Sequence, residues 1–264
     1  MQAGDEERLA ATWPDIVRRI QAVTPARLLQ GRAGAAYLTH TQLDLRTAHA
    51  AARDAVRTEF EARAIFGIGF WDEWRLFETS TRAKSKEQYL LDPDRGRHFD
   101  EASRAAIARR CAPHARLQIA IGDGLSVPAL AAQIPTLLPA LHEAAIRRDW
   151  TVGQTFVIRH CRVGILNEIG ELLAPDVAVL LIGERPGLAT VESLSAYMAY
   201  QPDASHTDAN RNLISNIHAR GCTPWDAAEA IVELAERMNE ARISGWQLKT
   251  GDRNPKPSIG SGAR

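Results

Sequence analysis

Two apolar stretches of the chain end in the same punctuation, Ile121-Gly122-Asp123-Gly124 and Ile182-Gly183-Glu184-Arg185-Pro186-Gly187. In each, a glycine that lets a ligand approach the backbone precedes a carboxylate able to accept hydrogen bonds from hydroxyl or amide groups. Such a pair suits a nucleotide-like ligand; two ordinary turns are the plainer alternative, because Gly-Asp and Gly-Glu are common turn sequences. No G-x-G-x-x-G follows a strand and no G-x-x-x-x-G-K-[ST] occurs, which disfavours the common NAD and ATP enzymes. Ser126 lies in Gly-Leu-Ser-Val-Pro rather than G-x-S-x-G and reads as a helix cap. The eight histidines are dispersed, without H-E-x-x-H or another metal-ligand spacing. No residue of this chain is therefore assigned a catalytic or metal-ligating role.

The elements that must position these turns follow from periodicity. Leu117, Ile119 and Ile121 alternate as a strand, Phe156 to Val163 forms a second, and the continuous apolar run Val177–Ile182 reads as a central strand covered on both faces. Strand, helix, strand, helix, strand predicts an α/β fold with an open, mostly parallel sheet flanked by helices, whose ligands bind at the carboxyl ends of the strands. The helix after Ser126 carries Pro128, Pro135 and Pro139 and is expected as two pieces with a kink. A long amphipathic helix is expected from Thr41 to about Ala64, and another Ala/Arg-rich helix ends near Cys111. The last helix starts at Thr223-Pro224-Trp225-Asp226 and buries Ile231, Leu234, Ala235 and Met238. The aromatic cluster Phe70, Trp71, Trp74 and Phe77 reads as core rather than a platform for bases, since no Lys or Arg cluster accompanies it. Thr207–His218 is dense in polar groups and lacks a clean period; it is either a solvated loop or a ligand-facing one.

Three domains of use are expected. Residues 1–25 form an N-terminal amphipathic helical extension, with Pro14 in the first turn and Ile16, Val17, Ile20 and Val23 on one face. Residues 26–249 form the α/β domain, and 250–264 a disordered tail rich in Gly, Pro and Ser. Hydrophobic residues at 45% and charged residues at 24% exclude a disordered chain. Lys plus Arg and Asp plus Glu both number 32, so no broad field attracts nucleic acid or an anionic membrane. Cys111, Cys161 and Cys222 stand apart without C-x-x-C pairing, which points to a reducing, cytoplasmic setting. The acidic start Asp5-Glu6-Glu7 is unlike a signal peptide, and no apolar run is long enough to span a membrane.

Taken in order, Gly31-Arg32-Ala33-Gly34, His49 with Arg53-Asp54, Asp123-Gly124-Leu125-Ser126, Ile169-Gly170-Glu171-Leu172-Leu173, Leu181–Leu188, Ser193–Tyr197 and Asp208-Ala209-Asn210-Arg211 with Ile214–His218 resemble the small (light) subunit of ethanolamine ammonia-lyase. The resemblance covers about Ala26 to Lys249. It implies a Rossmann-like domain that closes over adenosylcobalamin at the interface with a large catalytic subunit, in a higher hetero-oligomer. It also implies conversion of ethanolamine to acetaldehyde and ammonia by a radical mechanism, with the hard step carried by the cofactor. Family cofactor contacts map onto Val163, Glu184 and Leu213, with Glu184 accepting hydrogen bonds and Val163 packing or presenting its backbone. Some members carry Cys where this chain has Leu213, which makes that contact apolar or backbone, and some carry Asp where this chain has Ala48. Some members also use a longer N-terminal extension as a bacterial microcompartment address, so encapsulation is left open. Asn216-Ile217-His218-Ala219-Arg220-Gly221 comes within one residue of the D-x-H-x-x-G motif that ligates cobalt in some cobalamin proteins; Asn216 in place of the orienting Asp weighs against ligation, and the resemblance, whose members keep cobalamin's own base on cobalt, implies that the match is a coincidence. The competing expectation is a non-catalytic cobalamin- or nucleotide-binding carrier module.

Overall fold

In the computed structural model, residues 15–24, 26–187 and 189–248 are described. The expected helix start at Thr12 and Pro14 and the tail 250–264 lie outside them. Residues 15–22 are helical (α1). A small hairpin of β1 (Arg32–Ala33) and β2 (Ala36–Tyr37) leads to α2 (Thr39–Arg57). Along α2 only Thr41, Ala52 and Ala55 are buried. The helix stops at Thr58 instead of continuing to Ala64, because the break lets Phe60 and Phe66 both enter the core, their rings edge-on at 6.1 Å. Two short helices follow, α3 (Ala62–Phe66) and α4 (Ile68–Glu73). Phe70, Trp71 and Trp74 are half-buried against the core, as expected, and Phe77 is buried on the other face of the sheet with the Arg110 guanidinium 4.4 Å over its ring.

The body is a six-stranded sheet in the order β3 (Glu78–Ser80), β5 (Phe156–Arg159), β4 (Leu117–Gly122), β6 (Val177–Gly183), β7 (Leu194–Tyr200), β8 (Asn212–Ile217). Helices α5 (Lys86–Leu91) and α6 (Glu101–Arg110) lie between β3 and β4 in the chain. From β4 the chain passes through α7 (Val127–Ile146) to β5 on one side, then through α8 (Leu166–Leu173) to β6 on the other. The carboxyl ends of β4 and β6 therefore meet where the winding direction reverses, the place at which such sheets form a crevice. Every residue of β4 and β6 is buried, since helices cover both faces. One face carries Leu117, Ile119, Ile121, Val177, Val179 and Leu181 and packs with α7 and α9 (Pro224–Ala241). The opposite face carries Ala120, Phe156, Ile158, Ala178, Leu180 and Ile182 and packs with α6 and α8.

The sheet is mixed: β3, β5, β4 and β6 pair in parallel as expected, and β7, which the strand pattern does not disclose, is antiparallel to both β6 and β8. Among the described residues between β6 and β7 there is no helix, and a link of that kind returns a strand antiparallel to the one it left. Helix α7 is a correction, being one continuous helix of 20 residues. Pro135 is exposed and Pro139 half-buried, so the carbonyls of Ala131 and Pro135 that they leave unpaired sit toward water, and the buried face keeps the helix in place. Among the described residues no helix is long and apolar enough to cross a membrane.

Candidate functional site

The alternation of β6 places Ala178, Leu180 and Ile182 against α8, and Glu184, two residues on, continues toward the same face. Its backbone amide donates to the Ser193 carbonyl at 3.1 Å, and its half-buried carboxylate accepts a hydrogen bond from Ser195 Oγ. On β7, Ser195 stands opposite Ile182 and Tyr197 opposite Leu180. Leu213 on β8 pairs with Tyr197, and directly paired residues share a face. Glu184, Ser195, Tyr197 and Leu213 thus form one strip. Beyond the reach of α8 this strip opens: Tyr197 is half-buried, Leu213 is 45% exposed and Ser215 is exposed.

Glu184 and Leu213 differ by four residues along the strand direction and by two strands across it, which separates them by ~16 Å at standard strand rise and spacing. That span is too wide for a small metabolite and suits a large planar ligand lying on the sheet. Tyr197 lies between them. Burial, then the carboxylates of Glu184 and Asp208, hold its hydroxyl above the usual phenol range, with Arg211 opposing, so it stays a neutral donor and acceptor.

Val163 opens the 3-10 turn Val163–Ile165 that leads into α8, and it is half-buried on the same face. A polar cleft of about 360 Å³ lies beside it, lined by Gly164, Asn167, Glu171 and Arg211 among others. Asn167 links the two sides of this cleft: its Oδ1 accepts from Arg211 at 2.8 Å and its Nδ2 donates to the His206 carbonyl at 2.8 Å. The cleft is thus lined by the residue after Val163 and by Arg211, two residues before Leu213, and Glu184 stands at the far end of the strip. The start of β8 is fixed from behind by the segment after α9. Ser244 Oγ donates to the Asn210 carbonyl at 2.7 Å, and the Gly245 amide donates to Asn212 Oδ1 at 2.6 Å. Gly245 has φ +79° and a Cβ there would fall 2.1 Å from the Ala209 carbonyl, so only glycine fits.

The two glycine turns are not equivalent, which corrects the paired reading. Asp123 is fully buried: its Oδ1 accepts from the Cys161 amide at 2.7 Å, and its Oδ2 pairs with Lys86 Nζ at 3.3 Å. Lys86 also donates to the Gly124 carbonyl at 3.2 Å. The Asp123 carboxylate thus ties the ends of β4 and β5 to α5 and has no lone pair facing solvent. Only Glu184 is available to a ligand. The turns lock together instead, with the Leu125 amide donating to the Gly183 carbonyl at 3.0 Å. A Cβ on Gly183 would lie 2.1 Å from the Ser126 carbonyl. Ser126 caps α7 through the Ala129 amide and donates to the Val191 carbonyl. His218 follows β8, with its Nδ1 accepting from the Arg220 amide at 3.2 Å, and burial lowers its pKa.

Asn167, Ser195, Tyr197, Arg211 and Lys86 received no role from sequence reasoning. Ser195 and Tyr197 alternate with Leu194 and Ala196, a period-two signal of a strand with one polar face. Lys86 shows no such signal.

The family model of the ethanolamine ammonia-lyase light chain (EutC) matches residues 14–249. Among relatives, the ethanolamine ammonia-lyase small subunit of Listeria monocytogenes is 38% identical over 231 residues, covering 88% of this chain and 77% of the relative. That of Clostridium perfringens is 39% identical over 230 residues, covering 87% and 76%. That of Fusobacterium nucleatum is 39% identical over 226 residues, covering 86% and 75%. The order of motifs, the breadth of the family match and the identity to these relatives together establish that this chain belongs to the ethanolamine ammonia-lyase small-subunit family.

Proposed function

We propose that the chain is the small subunit of an adenosylcobalamin-dependent ethanolamine ammonia-lyase and forms one wall of a cobalamin site completed by a large subunit. The observation that carries this reading is the sheet strip from Glu184 to Leu213, on which Glu184 and Tyr197 are half-buried and Leu213 and Ser215 exposed, and which is wide enough for a corrin. The residues present fit the group: the half-buried Glu184 carboxylate and the neutral Tyr197 hydroxyl for its amides, an apolar pair for its ring, and a polar cleft close by. When bound, adenosylcobalamin supplies an adenosyl radical that starts the conversion of ethanolamine to acetaldehyde and ammonia.

In this reading Glu184 accepts hydrogen bonds from polar groups of the cofactor, and Ser195 fixes which way its carboxylate points. Val163 and Leu213 contact the ring by van der Waals packing. The β4–α7–β5–α8–β6 unit serves as a Rossmann-like core, and residues 26–249 act as one cofactor-interface domain, with 1–25 as an extension and 250–264 as a tail. Leu28, Leu29, Tyr37 and Leu43, exposed on the segment before and along α2, offer apolar surface for the large subunit in a hetero-oligomer. A cytoplasmic location is proposed, and packaging in a microcompartment is a matter for the N-terminal extension. A stand-alone carrier would enclose its cofactor, so the openness of the strip favours a shared site.

Co-expression with a large subunit, followed by an acetaldehyde assay with adenosylcobalamin, tests the function. Activity that requires both chains supports it. A fully active large subunit alone, or a pair inactive on ethanolamine, refutes it.

A further inference from the structure

The polar cleft between the start of α8 and the β7–β8 connection has no part in the fold's hydrophobic packing, and its lining is chemically mixed. Arg97 and Arg211 supply guanidinium groups, while Glu168, Glu171 and Asp208 supply carboxylates. Glu168 is consumed internally, by the Phe99 amide at 2.8 Å, His98 Nδ1 at 3.0 Å and Arg104 at 3.1 Å. Arg211 is the central group. Its side chain is only 5% exposed; it holds the Asp208 carboxylate and Asn167 Oδ1, and its Nε is sealed from water with no hydrogen-bond partner. A buried N–H without an acceptor calls for an explanation, and this one belongs to a residue that lines the cleft. Across the cleft, Glu171 is exposed and carries no hydrogen bond or ion pair among the described residues.

These groups select a ligand class. An anion would meet three carboxylates against two guanidinium groups. A cation would give the Arg211 N–H no acceptor. A neutral primary carboxamide matches both sides, its carbonyl accepting from Arg211 and its NH2 donating to Glu171. We propose that this cleft takes a carboxamide arm at the rim of the corrin ring. The proposal rests on the cofactor reading above, and it adds Arg211 and Glu171 as binding residues beyond Val163, Glu184 and Leu213.

The test uses the assembled complex of small and large subunits, titrated by absorbance with cyanocobalamin and with cobalamin monocarboxylates in which one amide is hydrolysed. The wild-type complex should bind the amide form about tenfold more tightly than the derivative hydrolysed at the arm that enters the cleft, since a carboxylate there faces like charges. Glu171→Lys, an exposed change that leaves the fold intact, should erase or invert that ratio, whereas a structural role for Glu171 would not touch it. Arg211→Met should weaken binding of the amide form about tenfold, the loss of one charge-assisted hydrogen bond. Arg211→Lys, which keeps the charge partner of Asp208, controls for folding and should be intermediate. If no monocarboxylate is discriminated, or Glu171→Lys leaves the discrimination unchanged, the cleft assignment fails. If the complex binds cobalamin no better than the large subunit alone, the cofactor reading itself fails, which separates the two.

Discussion

Replacing Lys86 with Met isolates the interaction that joins the two turns at the crevice. Lys86 Nζ lies 3.3 Å from Asp123 Oδ2 and 3.2 Å from the Gly124 carbonyl, with its side chain 6% exposed and that of Asp123 fully buried. Met matches the length and apolar stem of lysine, so the change removes the charge with little loss of packing. The Asp123 carboxylate would then stay buried with the Cys161 amide as its remaining donor. Removing one partner of a buried ion pair costs about 3–5 kcal/mol, because the other charge is left uncompensated. For a chain of this size that corresponds to a melting temperature lower by about 10 °C. Differential scanning fluorimetry of the single variant and of Lys86→Met with Asp123→Asn provides the check. The neutral Asn still accepts from the Cys161 amide, so the double variant should recover at least half of the loss. A single variant within about 2 °C of wild type, or a double variant less stable than the single, would refute the reasoning.

Burial lowers the pKa of His218 below the ordinary value near 6.5, so the unfolded chain takes up the proton first as the pH falls. Stability should therefore be intact above about pH 6.5 and decline below it, and His218→Gln should flatten that part of the stability–pH curve; a curve unchanged by the substitution contradicts the assignment. Burial also raises the thiols, Cys111 to about 11 and Cys161 well above its usual range, so both stay protonated at pH 8. Mass spectrometry after iodoacetamide treatment should find these two cysteines unlabelled in the native chain and labelled in denaturant, and rapid native labelling of Cys161 would show that the end of β5 is open to solvent. Glu184→Ala should weaken cobalamin binding by the complex about tenfold with little change in melting temperature, and equal affinity would remove Glu184 from the site.

What the sequence disclosed and what it hid have a common physical cause. Strands β4 and β6 are buried on both faces, so their apolar runs were plain, and the glycines that end them marked the crevice. Strand β8 is a sheet edge with Leu213, Ser215 and Asn216 exposed, and an edge facing solvent has no need of an apolar period, which is why its segment read as a loop. The prolines of α7 suggested a break because sequence does not say which face of a helix meets water. Asp123 and Glu184 looked alike in their turns, and they part company through Lys86, 37 residues upstream of Asp123, a pairing that only the fold brings about. Val163, Glu184 and Leu213 came from family resemblance; the polar neighbours Ser195 and Arg211 became visible once β7 and β8 were placed side by side.

The most direct measurement is a cryo-electron microscopy map of the co-expressed large and small subunits with adenosylcobalamin bound. Corrin density is expected against the strip formed by Glu184, Tyr197 and Leu213, with Val163 at its margin. A corrin enclosed wholly by the large subunit, with that strip facing solvent or protein alone, would contradict that placement.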